Sequence, residues 1–239
     1  MAMKSLYVEP EAPSGEVRWP ALECIDVFRI YRSGPVETVA LRGLDLRIER
    51  EEFVAILGPS GCGKSTFLAL AAGLDVTSAG EVRSFGRSLS RLDEAELAAY
   101  RAQELAIVFQ SDNLWPALSA QENVAIALRL AGLPDAGPRA RAALERFGLG
   151  ERASHRVAAL SGGEQQRVAI AAAAAREARL VLADEPTGEL DLANERVVLD
   201  ALHELRDRNG ATVVVVTHSD RVAESADRVV ELRDGRVAS

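Results

Sequence analysis

Unbroken apolar runs and diluted ones alternate along the chain, and each kind predicts a different element. Val213, Val214, Val215 and Val216 sit together between Thr212 and Thr217, and Leu180, Val181, Leu182 and Ala183 form a second such run. Short runs this apolar predict strands covered on both faces, the pattern of a parallel sheet. Residues 53–57 and 105–109 read the same way. Leu41, Leu44, Leu46 and Ile48 instead recur among polar residues, which predicts a strand of an outer antiparallel sheet, with another strand at 80–85. Helical spacing predicts helices at 64–72, through most of 119–176, and near 192–208. Ser119 with Glu122, and Ser161 with Glu164, have the spacing of capping boxes. Residues 228–232, the turn Arg233, Asp234 and Gly235, and then Arg236 and Val237 predict a closing hairpin.

The fold class that follows is α/β: a mainly parallel core sheet, an N-terminal antiparallel β subdomain, and an α-helical subdomain inserted at about 111–178. Residues 1–20 hold Glu, Pro, Ser and Gly without periodicity and read as a flexible arm, leaving 21–239 as one domain. At 239 residues the chain can bury one large core. Its formal charge of −8 argues against a general nucleic-acid binder, so no nucleic-acid partner is expected. Two cysteines, Cys24 and Cys62, make no disulfide framework or metal-site spacing, which fits a reducing compartment. No apolar run reaches the length of about 20 residues that crosses a bilayer.

Candidate chemistry begins where the 53–57 strand ends. Gly58, Pro59, Ser60, Gly61, Cys62, Gly63, Lys64, Ser65 and Thr66 form a glycine-rich loop between a strand and a helix, the context in which backbone N–H groups cradle phosphates. Lys64 adds a charge toward the β- and γ-phosphates and Ser65 a hydroxyl toward Mg²⁺. Cys62 occupies a position of the loop with no assigned chemistry and reads as filler. Asp184 and Glu185 close an apolar strand, where two adjacent carboxylates have little structural purpose. They suit a metal contact and a general base respectively. Ser161, Gly162, Gly163 and Glu164 open a helix whose free N–H groups can face an anion. His218 follows an apolar strand at its ligand-binding end, whereas His155 and His203 read as structural.

The segment Leu160, Ser161, Gly162, Gly163, Glu164, Gln165 and Gln166, together with the glycine loop and the Asp184–Glu185 pair, resembles the ATP-binding subunit of ABC transporters, a P-loop NTPase family. The likeness runs from about residue 22 onward. It implies ATP and Mg²⁺ as ligands and hydrolysis of ATP to ADP and phosphate. It also implies a head-to-tail dimer in which Ser161 to Glu164 contact the nucleotide held by a second copy. Tyr31 matches the aromatic that stacks on adenine, and Gln110 the glutamine that reaches Mg²⁺ and the attacking water and senses the membrane subunit. His218 matches the histidine that contacts the γ-phosphate; Asp191 ends the loop that couples the two ATP sites. The chain departs from the family at Ala172, where arginine is frequent, at Ala178, where proline is usual, and at Ser219, where aspartate usually follows the histidine.

Residues 180–188 and 109–116 resemble the subgroup of lipoprotein-release, macrolide- or peptide-export and cell-division ATPases. That implies an integral-membrane permease partner and a place on the cytoplasmic face of the inner membrane. Trp115, Pro116 and the helix from Ser119 form its expected dock, with lobe core an equal reading for Trp115. The alternatives are the ATPase of a small-solute importer and, of a different class, a soluble ABC-type ATPase of DNA or ribosome work. The last would carry a coiled-coil insertion or a second cassette, and neither is visible.

Overall fold

The structure is a computed structural model that describes residues 18–34 and 36–238; most of the expected N-terminal arm, residues 1–17, lies outside the described residues. β1 (Leu22–Ser33) pairs antiparallel with both β2 (Val36–Ile48) and β4 (Ala79–Ser84), and β5 (Arg87–Ser88) completes a sheet in the order β2-β1-β4-β5. The second sheet runs β10-β9-β3-β8-β7-β6. Its members are β3 (Phe53–Leu57), β6 (Leu105–Val108), β7 (Leu180–Asp184), β8 (Thr212–Thr217), β9 (Arg228–Arg233) and β10 (Arg236–Val237). All its pairings are parallel except the closing β9–β10 hairpin.

Successive strand residues face opposite ways, and this sorts the valine-rich runs into two cores. Val181, Ala183, Val213 and Val215 point into one core with Phe53. Leu180, Leu182, Val214 and Val216 point into the other with Val54 and Ile56. A strand apolar at every position is therefore required, because neither face meets water. The first core is closed by the helices that follow β6: α3 (Ala120–Leu130), α4 (Ala136–Arg146) and α5 (Gly162–Ala175), together with α6 (Leu192–Asn209). The second is closed by α1 (Lys64–Ala71), α2 (Glu94–Gln103) and the antiparallel sheet. A short helix, α7 (Asp220–Ser225), joins β8 to β9.

Local sequence accounts for most element boundaries. α2, α3 and α5 each begin in a complete capping box, built on Asp93 and Glu96, Ser119 and Glu122, and Ser161 and Glu164. α6 ends at Gly210, whose φ of 64° supplies the left-handed cap. The buried Tyr100 of α2 donates its hydroxyl to the Ala71 carbonyl at 2.9 Å, tying α2 to the end of α1. Cys24 is a buried apolar neighbour, and burial pushes its thiol up to about 12. His203 is structural: its ring meets Phe53 edge-on at 4.5 Å, and burial lowers its affinity for a proton.

Leu144 on α4 is fully buried in the first core. Leu144→Ala is expected to cost about 2–5 kcal/mol of stability. Urea denaturation checks this; a loss below about 1 kcal/mol would mean that the helical subdomain is loosely packed.

Candidate active site

Parallel register brings the chemistry together. Leu57 pairs with Thr217, Asp184 with Val216, and Val108 with Ala183, so β3, β8, β7 and β6 end along one edge of the sheet. The residues just beyond those ends are Gly58, His218, Glu185 and Phe109 with Gln110. Loops at the carboxyl ends of parallel strands are where such sheets bind ligands. A cavity of 1040 Å³ opens there, lined by the glycine loop, residues 38–40 of β2, residues 109–112, Asp184, Glu185 and His218.

The loop's shape depends on glycine at two positions above all. A Cβ at Gly58 would lie 2.3 Å from the Leu232 carbonyl oxygen, and Gly63 holds φ at 109° beside the Ala40 carbonyl. The closing hairpin braces the loop from outside, since the Gly235 N–H donates to the Cys62 carbonyl at 2.9 Å. Gly58, Pro59, Ser60, Gly61, Gly63, Lys64, Ser65 and Thr66 line the cavity. Cys62 is buried beneath it, with its N–H donated to the Pro59 carbonyl. Lys64 Nζ donates to the Gly58 and Pro59 carbonyls at 2.7 and 3.2 Å, so its charge lies over the loop.

Across the cavity, Ser65 Oγ donates to Asp184 Oδ2 at 3.4 Å. Burial raises the Asp184 carboxyl above its usual range; the Ser65 bond opposes this, the neighbouring Glu185 charge adds to it, and Lys64 opposes it. Glu185 adopts φ of 46°, which is rare for a side chain of its size. Its carboxylate is held from three directions. Thr217 Oγ1 donates to Oε2 at 2.9 Å, the His218 N–H donates to the same oxygen at 3.3 Å, and His218 Nδ1 lies 2.7 Å from Oε1. His218 itself is largely open to solvent. Among the described residues no group of three or more His, Cys, Asp or Glu side chains could hold a metal. The hydroxyl–carboxylate pair of Ser65 and Asp184 instead fits a cation that takes its remaining oxygens from a phosphate substrate and water.

The other sequence candidates sit around this centre. Gln110 lines the cavity and its Nε2 donates to Glu189 Oε1 at 3.2 Å. Tyr31 does not line it; in the β1–β2 register it stands opposite Thr38, which does. The Arg29 guanidinium lies 4.5 Å from the Tyr31 ring centroid, and the Tyr31 hydroxyl donates to Asp75. Ser161, Gly162, Gly163 and Glu164 are absent from the cavity wall, and Ser161 and Gly162 face solvent at the start of α5. Asp191 is the exposed N-cap of α6 and accepts from the Asn194 N–H at 2.9 Å.

These strand-end loops, with the Leu160–Gln166 segment beside them presenting Ser161 and Gly162 to solvent, decide the family, for residues 41–188 match the ABC transporter family. The chain belongs to it. It carries the ATPase domain of that family. Over 239 residues it is 43% identical to the macrolide export ATP-binding/permease protein MacB of Azoarcus sp. (strain BH72), a match covering 99% of this chain and 36% of that protein. A macrolide export relative from Hyphomonas neptunium (strain ATCC 15444) is 46% identical over 222 residues, covering 92% of this chain and 34% of the relative. This ABC chain thus spans about a third of the length of those relatives. An uncharacterized ABC transporter ATP-binding protein of Thermotoga maritima is 43% identical, covering 90% of this chain and 93% of that one. Among solved structures, a dimeric post-hydrolysis state of the ATP-binding cassette MJ0796 bound to ADP and Pi is similar, with a TM-score of 0.83 and 38% identity over 91% of this chain and 97% of that one.

Three polar residues of this ABC site were given no role of their own from the sequence. Thr217 anchors Glu185 as described. Buried Gln166 on α5 donates through Nε2 to the carbonyls of Phe109 and Gln110 at 2.9 and 2.6 Å. Asn113 closes the same net, bonding both the N–H and the carbonyl of Phe109 and the side chain of Gln166. For Thr217 the sequence signal was a polar side chain at the end of an apolar strand, and for Gln166 and Asn113 it was their place within the family-like stretches.

Glu164 caps α5, and its carboxyl is held below the usual range first by the Ser161 N–H and further by Arg152. A depressed carboxylate adds stability above its unfolded-state value and loses it as the pH falls through its folded-state value. Glu164→Ala is expected to cost about 0.3–1.5 kcal/mol at pH 7, and less at pH 3, below the unfolded-state carboxylate range. Denaturation at the two pH values checks the sign; an equal cost at both would assign the effect to packing.

Proposed function

We propose that the chain binds ATP with Mg²⁺ in the strand-end cavity, dimerises head-to-tail on ATP, and uses hydrolysis to drive a membrane permease of the export or mechanotransmission kind. The observation that carries this reading is the Glu185–His218–Thr217 arrangement across from Lys64, Ser65 and Asp184. The backbone N–H groups of the glycine loop and the Lys64 charge hold the β- and γ-phosphates. Ser65 and Asp184 hold the cation, which, when bound, neutralises charge building on the transferred phosphoryl group. Glu185, fixed by Thr217 and the His218 N–H, accepts a hydrogen bond from the attacking water and takes its proton. His218 faces the γ-phosphate from the other side, and Gln110 orients the water at the cavity rim. Tyr31, backed by Arg29, supplies a face for the adenine ring.

The dimer reading is supported by the start of α5. The free N–H groups of Gly162 and Gly163 at that helix end suit a phosphate, yet they lie off the chain's own cavity. A second copy brings a nucleotide to them; the similar MJ0796 cassette is itself described as dimeric and, in one structure, as bound to ADP and Pi. Asp191, beside this end, then couples the two sites.

The permease reading is supported by the relatives, whose name joins ATP-binding and permease functions, and by the surface. Trp115 is 53% exposed, so it is no part of the lobe core. It adjoins an open groove lined by Leu118, Ser119, Glu122, Arg129 and Arg156. Among the described residues no helix is long and apolar enough to cross a membrane, so the spans must lie outside this region.

Glu185→Gln is expected to keep ATP affinity within a few-fold while turnover falls by at least about 10²-fold, and to accumulate an ATP-bound dimer by size exclusion. Ser161→Arg in the same background is expected to bind ATP and remain monomeric. Near-normal turnover in Glu185→Gln would remove it as the base, and an ATP-dependent dimer with Arg at 161 would refute the shared site. A pull-down from detergent-solubilised membranes tests the partner. A permease with a large outer domain is expected. A many-span permease with a solute-binding protein would turn the reading to import, and only soluble partners would overturn it.

A further inference from the structure

Glu195 is a carboxylate that is only 7% exposed, in the first turns of α6, where an apolar side chain would pack at lower cost. Both of its side-chain partners lie on the segment that follows His218. Ser219 Oγ donates to Glu195 Oε1 at 3.1 Å, and Arg221 Nε lies 3.3 Å from Oε2. Ser219 is engaged a second time, since its N–H donates to Thr217 Oγ1 at 3.0 Å, the same oxygen that donates to Glu185. An unbroken line of hydrogen bonds therefore runs from α6 through Ser219 and Thr217 to Glu185 and His218. The same N-terminal turn of α6 is also tied to the loop before it. The Glu195 N–H donates to the Asp191 carbonyl at 2.8 Å, one turn from the Asp191 cap, and Glu189 in the preceding turn accepts from Gln110.

We propose that Glu195 is a positioning residue for hydrolysis: it fixes the His218 loop to the first turn of α6 and so makes the Glu185–His218 geometry depend on the turn at residues 188–191. This rests on the reading of Glu185 and His218 as the reacting pair. A carboxylate suits the task better than an amide or hydroxyl, because it accepts the Ser219 bond and holds the Arg221 charge together. Its place near the helix N-terminus offsets part of the cost of burying it. Movement of the 188–191 turn, the segment proposed to meet the second copy, would shift α6 and reach His218 through one side chain.

The test is steady-state ATP hydrolysis by the full chain, with denaturation midpoints measured in parallel. Glu195→Ala is expected to lower kcat by about tenfold or more, as small misplacements of reacting groups do, with the KM for ATP and the midpoint little changed. Glu195→Gln keeps an acceptor for Ser219 and is expected to recover most of that loss. Ser219→Ala cuts the same bond from the loop side, leaves the carboxylate its Arg221 partner, and is expected to lower kcat in the same way; it decides the matter if Glu195→Ala does not fold. A kcat within twofold of wild type, a joint fall of kcat, KM and midpoint, or no recovery in Glu195→Gln would each overturn the proposal. Glu185→Gln run alongside separates the two readings. Normal turnover there removes the reacting pair, whereas an inactive Glu185→Gln beside a normal Ser219→Ala removes only the role of Glu195.

Discussion

The site depends on strand register more than on any single side chain. β6, β7, β8 and β3 are parallel and in step, so the last residue of each arrives at the same edge of the sheet. A slip of one residue in β7 would turn Asp184 and Glu185 to opposite faces. It would also move Val181 and Ala183 out of the core they share with Val213 and Val215. The two-sided burial that makes these strands apolar throughout therefore sets the distance between Ser65 and Asp184 and the reach from Thr217 to Glu185. The geometry of the candidate site is a by-product of hydrophobic packing.

What packing leaves open is closed by polar bonds between elements distant in sequence. Gln166 fastens α5 to the carbonyls of Phe109 and Gln110, and Glu195 fastens α6 to Ser219. Each buried polar group costs several kcal/mol if its partner is lost, so each joint holds as a discrete contact. The helical subdomain and the sheet edge are thereby linked through residues that lie beside the proposed reacting centre and not in it.

The core sheet was legible because residues 180–183 and 212–217 can be little else than strands buried on both faces. The glycine loop and the paired carboxylates were legible because their backbone and charge demands are local. β1 was missed because its alternation breaks at register shifts between Cys24 and Val27 and again near Arg29, with Asp26 at φ of 46°. α2 was missed because it buries chiefly Tyr100 and offers no apolar stripe, although Asp93 and Glu96 marked its start. Thr217, Gln166 and Glu195 could not be read because their partners lie 32, 56 and 24 residues away. Trp115 was open between permease dock and lobe core, and its exposure removes the core reading.

The strain at Glu185 ties these threads together. A φ of 46° costs a glutamate on the order of 1–3 kcal/mol and persists only where the surroundings over-determine it. Here they do: the Glu185 N–H donates to the Val216 carbonyl, and the carboxylate takes two bonds from Thr217 and His218. All three partners come from the end of β8, the strand whose register the valine core dictates. A relaxed Glu185 would lose that frame and direct its carboxylate elsewhere. The unbroken valine run and the strained glutamate are thus one feature, the first holding the second at the cavity edge, where its proposed role as base requires it.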